Sequence, residues 1–320
     1  MAEVAGRTVA ELGEFGLIEE IRRLQPQGPG VLLGAGDDAA VVSAPDGRVV
    51  VSTDVLVEGV HFKGEWAAAQ DIGRRAAAAT IADIAAMGAR ATALVVSLAG
   101  PSGMSAQWAL DLAGGLAEEA GVVGASVVGG DLSSGRQVMI AVTGIGDLAG
   151  SSPVTRSGAR HGDVLAIAGR QGWAAAGLAI LSRGFRSPRI IVEAYRRPEP
   201  PYASGPVAAA AGATAMCDIS DGLIADAGHL AAASGVTVDI DPGLLPVPEE
   251  LRAAASAFNV EPLSWVLAGG DDHALLATFP ADAELPAGFT AIGRAEEAQQ
   301  PEVLVAGQPW AADSGHEHFR

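Results

Sequence analysis

Oxygen donors crowd one short run, Asp218-Ile-Ser-Asp-Gly-Leu-Ile-Ala-Asp226. An apolar stretch, Ala213 to Cys217, precedes it, and an amphipathic stretch, Leu223 to Ala233, follows. That order predicts a strand, a tight turn and a helix. The turn sets Asp218, Ser220, Asp221 and the first free N–H groups of a helix in one small volume. Taken alone, Ser220 or Asp221 could simply cap the helix. The same kind of cluster recurs, however, at Gly36-Asp-Asp38, Ser52-Thr-Asp54, Asp83, Gly129-Gly-Asp131 and Gly269-Gly-Asp-Asp272. Two carboxylates about 4 Å apart repel by about 4 kcal/mol near a protein surface. If these clusters converge, they must be protonated or hold cations. Hard divalent ions, Mg²⁺ first, suit carboxylate and hydroxyl oxygens and share the phosphates of a nucleotide.

The elements that would position these groups alternate between helix and strand. Helical spacing marks Leu12 to Leu24, Gln70 to Met87, Ser105 to Ala120, Trp173 to Arg183, Ser204 to Ala211 and Glu249 to Phe258. Strands are expected at Ala91 to Ala99, Val122 to Val128, Gln137 to Asp147, Val164 to Ala168 and Val236 to Ile240, with short ones near Phe289 to Gly293 and Val303 to Val305. Ala39 to Ser43 and Arg48 to Thr53 flank Ala44-Pro-Asp-Gly47 and read as a hairpin. Trp265 to Phe279 holds the Gly-Gly-Asp-Asp turn. Gly150-Ser-Ser-Pro153 marks a boundary, giving two α/β domains of similar size, residues 1–149 and 150–320.

Composition narrows the chemistry. The 320 residues carry a net charge of −18, which argues against nucleic acid or an anionic membrane as partner. Lys63 is the only lysine, and no Gly-x-x-x-x-Gly-Lys-[Ser/Thr] run exists. Phosphate neutralisation therefore falls to metal and arginine. Cys217 is the only cysteine, which rules out an internal disulfide and a thiolate zinc site. No apolar run reaches the length of a membrane span and the acidic start has no signal core, so a cytoplasmic protein is expected.

Each remaining motif has two readings. Gly34-Ala-Gly36 resembles a dinucleotide fingerprint, but a strand follows it where that fingerprint opens a helix. Its glycines better serve to bring Asp37 and Asp38 to a metal, or form a solvated turn. Ser52-Thr-Asp54 at a strand end suits metal or phosphate, or a cap. Asp83 in an Ala-rich helix faces solvent or meets a cation. Asp131 is expected at a strand end, where α/β sites gather. Arg156 could reach phosphate or form a surface ion pair. His61 beside Phe62 packs or binds a ligand. The terminal His316 and His318 read as a solvated tail more readily than as a metal site.

Taken in order, the segments resemble the thiamine-monophosphate kinase family, within the aminoimidazole-ribonucleotide synthetase-like ATP-binding superfamily. The resemblance runs through Gly13-Glu-Phe-Gly-Leu-Ile18, Gly36-Asp-Asp-Ala-Ala40, Ser52 to Phe62, Asp83-Ile-Ala-Ala-Met-Gly-Ala89, Gly129-Gly-Asp131, Thr155-Arg-Ser-Gly158, Asp218 to Ile224, Gly269-Gly-Asp-Asp272 and a closing His-Phe. It implies an α/β (α+β) two-domain fold, and a homodimer whose N-terminal sheets pair into a barrel. The first domain would bind ATP and metal and dimerise; the second would complete the active site. It also implies ATP-dependent phosphorylation of thiamine monophosphate to thiamine diphosphate, by in-line transfer and with several Mg²⁺ ions. Asp38, Ser52, Thr53, Asp54, Asp83, Asp131, Asp218 and Asp221 would form the metal shell. Gly130, Asp131, Arg156 and Ser220 would contact ATP, and His61, Asp271 and His316 the thiamine phosphate. Asp218, Asp221 and Arg156 would form the catalytic set. Three positions depart from the family pattern: Asp271 stands where Glu is usual, His316 where an aromatic residue is usual, and Thr80 where Asn is frequent. A sibling ATP-dependent synthetase with another acceptor, a non-catalytic nucleotide- or metal-binding homologue, and a two-metal phosphohydrolase are the competing readings.

Overall fold

The computed structural model describes residues 6–33, 40–310 and Gly315. Asp37, Asp38, His316, His318 and Phe319 lie outside the described residues. Two compact units emerge, one of residues 1–84 and 90–149, the other of 85–89 and 150–320.

The first unit begins with α1 (Val9–Leu12) and α2 (Glu14–Arg23). Thr8 and Glu11 close a reciprocal capping box on α1. β1 (Val31–Leu33) pairs with β2 (Val41–Val42). The expected hairpin is therefore a different one. Ala44 to Gly47 does form a turn, with the Gly47 N–H donating to the Ala44 carbonyl at 3.0 Å. The strand after it, β3 (Val50–Val57), pairs instead with the distant β6 (Met139–Asp147). β4 (Arg90–Gly100) and β5 (Ser126–Ser134) run parallel, and the sheet order is β3-β6-β4-β5.

Two Ala-rich helices, α3 (Ala69–Ala86) and α4 (Ala106–Val122), belong to this part of the chain, with α4 as the crossover between β4 and β5. The two helices touch through glycine. A Cβ on Gly73 would fall 2.1 Å from the Leu112 carbonyl oxygen, and one on Gly115 2.0 Å from that of Gln70. Gly144 and Gly146 of β6 likewise leave room for Thr80 and Ile84 of α3 against the sheet.

The second unit comprises β7 (Val164–Ala168), α5 (Trp173–Ser182), α6 (Arg189–Arg196), α7 (Ser204–Ala210), β8 (Ala215–Ile219), α8 (Leu223–Ser234) and β9 (Val236–Ile240). It continues with α9 (Glu249–Phe258), α10 (Pro262–Ala268), β10 (Ala274–Phe279), β11 (Phe289–Glu297), β12 (Val303–Val305) and β13 (Gln308–Pro309). Its sheet order is β13-β12-β9-β11-β7-β10-β8. Among the described residues only β12 and β9 of this sheet pair in parallel. Ala166, Ala168, Met216, Leu275, Ala277 and the edge-to-face pair Phe279–Phe289 form a core on this sheet. The α/β character expected from the sequence is what the structure has. Among the described residues no helix is long and apolar enough to cross a membrane.

Candidate active site

In the second unit the central run folds as its sequence suggests. β8 ends at Ile219, and α8 begins at Leu223. Asp218 is 3% exposed and pairs across the ladder with Leu275 of β10. Neither Ser220 nor Asp221 is the N-cap of α8, which is Gly222. Asp226 folds back instead, accepting from the N–H groups of Asp221 at 3.0 Å and Gly222 at 3.1 Å. Burial, reinforced by the charge of Asp218, pushes the Asp226 carboxyl up to about 7 against those two bonds.

The Gly269-Gly-Asp-Asp272 turn locks onto this first turn through the backbone. The Asp271 N–H donates to the Ser220 carbonyl at 2.9 Å. A Cβ on Gly270 would lie 2.1 Å from that same oxygen, and one on Gly222 2.7 Å from the Ala268 carbonyl oxygen. Asp271 and His273 both take left-handed backbone, at φ 67° and 52°. The reversed backbone at these positions separates the directions of neighbouring side chains. Asp272 turns inward to the start of α5, where its Oδ1 accepts from the Ala174 N–H at 3.0 Å. His273 reaches Asp218, with Nδ1 3.2 Å from Oδ2. Gly315, in the C-terminal tail, packs on the same turn, since a Cβ there would fall 2.5 Å from the Asp221 carbonyl oxygen. Arg156 is exposed, and its own carbonyl accepts from Ser234 Oγ at 2.8 Å.

In the first unit the candidates divide across the sheet. Successive side chains of a strand point to opposite faces. Ser52 and Asp54 of β3 share the face that α3 covers. There Asp83 accepts from the Ser52 hydroxyl, and Thr80 Oγ1 donates to Asp54 Oδ2 at 2.8 Å. Thr80 is fully buried and was not among the expected site residues. Thr53 points to the other face, with its hydroxyl 3.0 Å from that of Thr143 and 3.2 Å from the Val142 carbonyl. Ladder partners share a face, and the row Val55–Ala141–Ser97–Asp131 puts Asp131 on the face of Thr53. Its carboxylate accepts from Ser133 Oγ at 2.8 Å.

Asp131 and Ser52-Thr-Asp54 therefore stand inside strands, not at strand ends as expected. Gly130 has a packing reason of its own, because a Cβ there would fall 1.8 Å from the Val96 carbonyl oxygen. His61 accepts from the Val57 N–H at Nδ1, 2.9 Å away, which leaves the proton of its neutral ring on Nε2. Among the described residues no three His, Cys, Asp or Glu side chains are grouped to hold a metal ion. The aspartates that come nearest to that role in the first unit are each held by a hydroxyl, and Asp38 lies outside the described residues.

The fold and these paired acidic turns define a class. Residues 36–148 match the AIR synthase related protein N-terminal domain, and residues 160–306 the C-terminal domain of the same proteins. A thiamine-monophosphate kinase from Mycobacterium tuberculosis is 49% identical over 98% of this chain and 93% of its own length. The crystal structure of thiamine-monophosphate kinase from Stenotrophomonas maltophilia K279a superposes with a TM-score of 0.81 at 33% identity, over 93% of this chain and 98% of that one. A second solved structure, AaThiL complexed with AMPPCP and TMP, gives a TM-score of 0.79 at 31% identity, over 98% of this chain and 100% of that one. The chain belongs to the thiamine-monophosphate kinase family.

Proposed function

We propose that this chain phosphorylates thiamine monophosphate to thiamine diphosphate at the expense of ATP. The observation that carries the reading is the near-full-length identity to thiamine-monophosphate kinases. The solved relative in complex with AMPPCP, an ATP analogue, and TMP supports the same pair of substrates. The acceptor is itself a phosphate and already an anionic nucleophile. No strong general base is then required, and the protein's work is to position two phosphates in line and offset their charge.

The donor chemistry fits Mg²⁺, since the candidate ligands offer carboxylate and hydroxyl oxygens only. In the first unit Ser52, Asp54 and Asp83 would hold a cation on the helix-covered face, with Asp38 added from outside the described residues. Thr53 and Asp131, on the opposite face, would serve a different contact. In the second unit Asp218 and Asp221 would be ligands. A bound divalent cation would supply charge neutralisation at the phosphates. Arg156 offers guanidinium donors to phosphate, and Ser220 a hydroxyl. As the family resemblance implies, His61 would offer its Nε2–H, and Asp271 its carboxylate, to the thiamine phosphate. The reading includes residues 1–149 and 150–320 as the two domains, a homodimer through the first, and a cytoplasmic location.

The test is a product assay with ATP, Mg²⁺ and thiamine monophosphate, the thiamine phosphates being separated by chromatography. Thiamine diphosphate should form one-for-one with ADP. Asp218→Asn should lower the rate by about a hundredfold or more. ATP turnover that releases phosphate without forming thiamine diphosphate would sink the reading in favour of a phosphohydrolase.

A further inference from the structure

His273 has no part in the proposed reaction, yet its place is highly specific. It is 6% exposed and immediately precedes β10. Ala274 and Leu275, the next two residues, are the ladder partners of Ile219 and Asp218. Its ring nitrogen Nδ1 lies 3.2 Å from Asp218 Oδ2, and both side chains are buried. A carboxylate oxygen that holds a cation can only accept, so with Asp218 as a cation ligand the Nδ1–H is the donor. His61 shows the opposite arrangement, with Nδ1 accepting from a backbone N–H.

A carboxylate turns readily about its last torsion. One directional bond to Oδ2 selects the plane in which both Asp218 oxygens lie. A packing residue would not need a hydrogen-bonding ring here, nor a left-handed backbone that most side chains resist. We propose that His273 is a positioning residue for the kinase, its Nδ1–H setting the orientation in which Asp218 meets the metal–nucleotide. The proposal rests on Asp218 being a cation ligand. Ligand-holding partners of this kind typically contribute tenfold to a hundredfold in metal affinity.

The probe is Mn²⁺ alone, titrated into the full-length purified chain and followed by electron paramagnetic resonance. His273→Phe keeps a ring but loses the donor. His273→Asn keeps a donor nitrogen at the δ position and tolerates left-handed backbone. His273→Gln puts its donor one atom further out. Mn²⁺ affinity should fall about tenfold or more in His273→Phe and stay within about threefold of the parent in His273→Asn. His273→Gln should bind more weakly than His273→Asn, a comparison that decides the matter even if the Phe variant fails to fold. A parallel rise in the KM for magnesium-ATP should follow the same ranking. Unchanged Mn²⁺ affinity in a folded His273→Phe, or equal affinities in the Asn and Gln variants, would overturn the positioning role. If Asp218→Asn still weakens Mn²⁺ binding in that case, the ligand reading survives. If Asp218→Asn leaves Mn²⁺ binding intact, both fall together.

Discussion

Asp272 is 5% exposed, and it carries a chemical tension that its neighbours only half relieve. Its Oδ1 takes the Ala174 N–H, while among the described residues its Oδ2 has no hydrogen-bond partner, and neither has the buried Oε1 of Gln171. The Gln171 amide nitrogen is committed to the Gly269 carbonyl at 2.6 Å. Burial is the main force on Asp272, and the charge of Asp271 adds to it. Together they push the carboxyl from 3.8 up to about 7 against the backbone N–H groups of Gly172, Trp173 and Ala174. A raised acid binds more protons folded than unfolded across that window. Stability is therefore unaffected by this group below about pH 4, falls as pH rises toward 7, and carries the full cost above it. Between pH 5 and pH 8 the loss assigned to Asp272 is about 2–3 kcal/mol. Asp272→Asn keeps the Oδ1 acceptor and cannot ionise. In metal-free buffer, urea denaturation at the two pH values should show that much less loss in the variant, leaving whatever slope Asp226 adds. Equal losses in both proteins would mean that Asp272 is already ionised at pH 5. None of this was legible in the sequence, where Asp272 was one more member of an acidic turn. Its inward direction follows from the positive φ of Asp271, which no spacing rule announces. Asp218 was legible, because a carboxylate closing an apolar strand has few reasons to be there.

The two turns of the second unit work as one element because glycine lets their backbones meet. Gly270→Ala would drive a Cβ to 2.1 Å from the Ser220 carbonyl oxygen and push the turns apart. The expected result is a loss of thiamine diphosphate formation of about a hundredfold, as for an ångström-scale misplacement of reacting groups. Gly103→Ala, with nothing among the described residues within 4 Å of the new Cβ, should leave activity and melting temperature as they were. Equal activity in both variants would count against the turns acting as a unit. At this scale the sequence read well where periodicity was long. α3, α4, α5, α8 and α9 lie within a few residues of their expected spans. It read poorly where partners are distant or signals are masked. β3 pairs with β6 across nearly ninety residues, so the local hairpin signal at Ala44 to Gly47 misled. The Gly-Gly pair concealed that β5 runs on to Ser134, and the arginines around Ile190 to Tyr195 concealed α6. In the sequence Thr80 stands out only as a departure from a family pattern. Its bond to Asp54 joins residues 26 apart and depends on α3 lying over β3.

The whole molecule carries a charge of −18, so two copies repel unless an apolar surface brings them together. The valine-rich part of the outer face of the first unit's sheet offers such a surface, beside the Thr53–Thr143 pair and Asp131 that share that face. Val51 is 59% exposed, Val55 44% and Met139 42%, and the ladder sets Ile145 and Ala141 beside the two valines. β3 is also an edge strand, and an exposed, apolar edge invites pairing with another chain. This is the face through which the homodimer of our functional reading would form. Light scattering after size-exclusion chromatography, at micromolar protein, tests it directly. The parent chain should run as a dimer, and Val51→Asp should run as a monomer with its far-ultraviolet circular dichroism unchanged. Val122→Asp, a comparably exposed valine at the end of α4, should remain dimeric. A parent that stays monomeric would remove the dimer from the reading. A dimer untouched by Val51→Asp would move the interface elsewhere and leave this apolar sheet face in need of another partner.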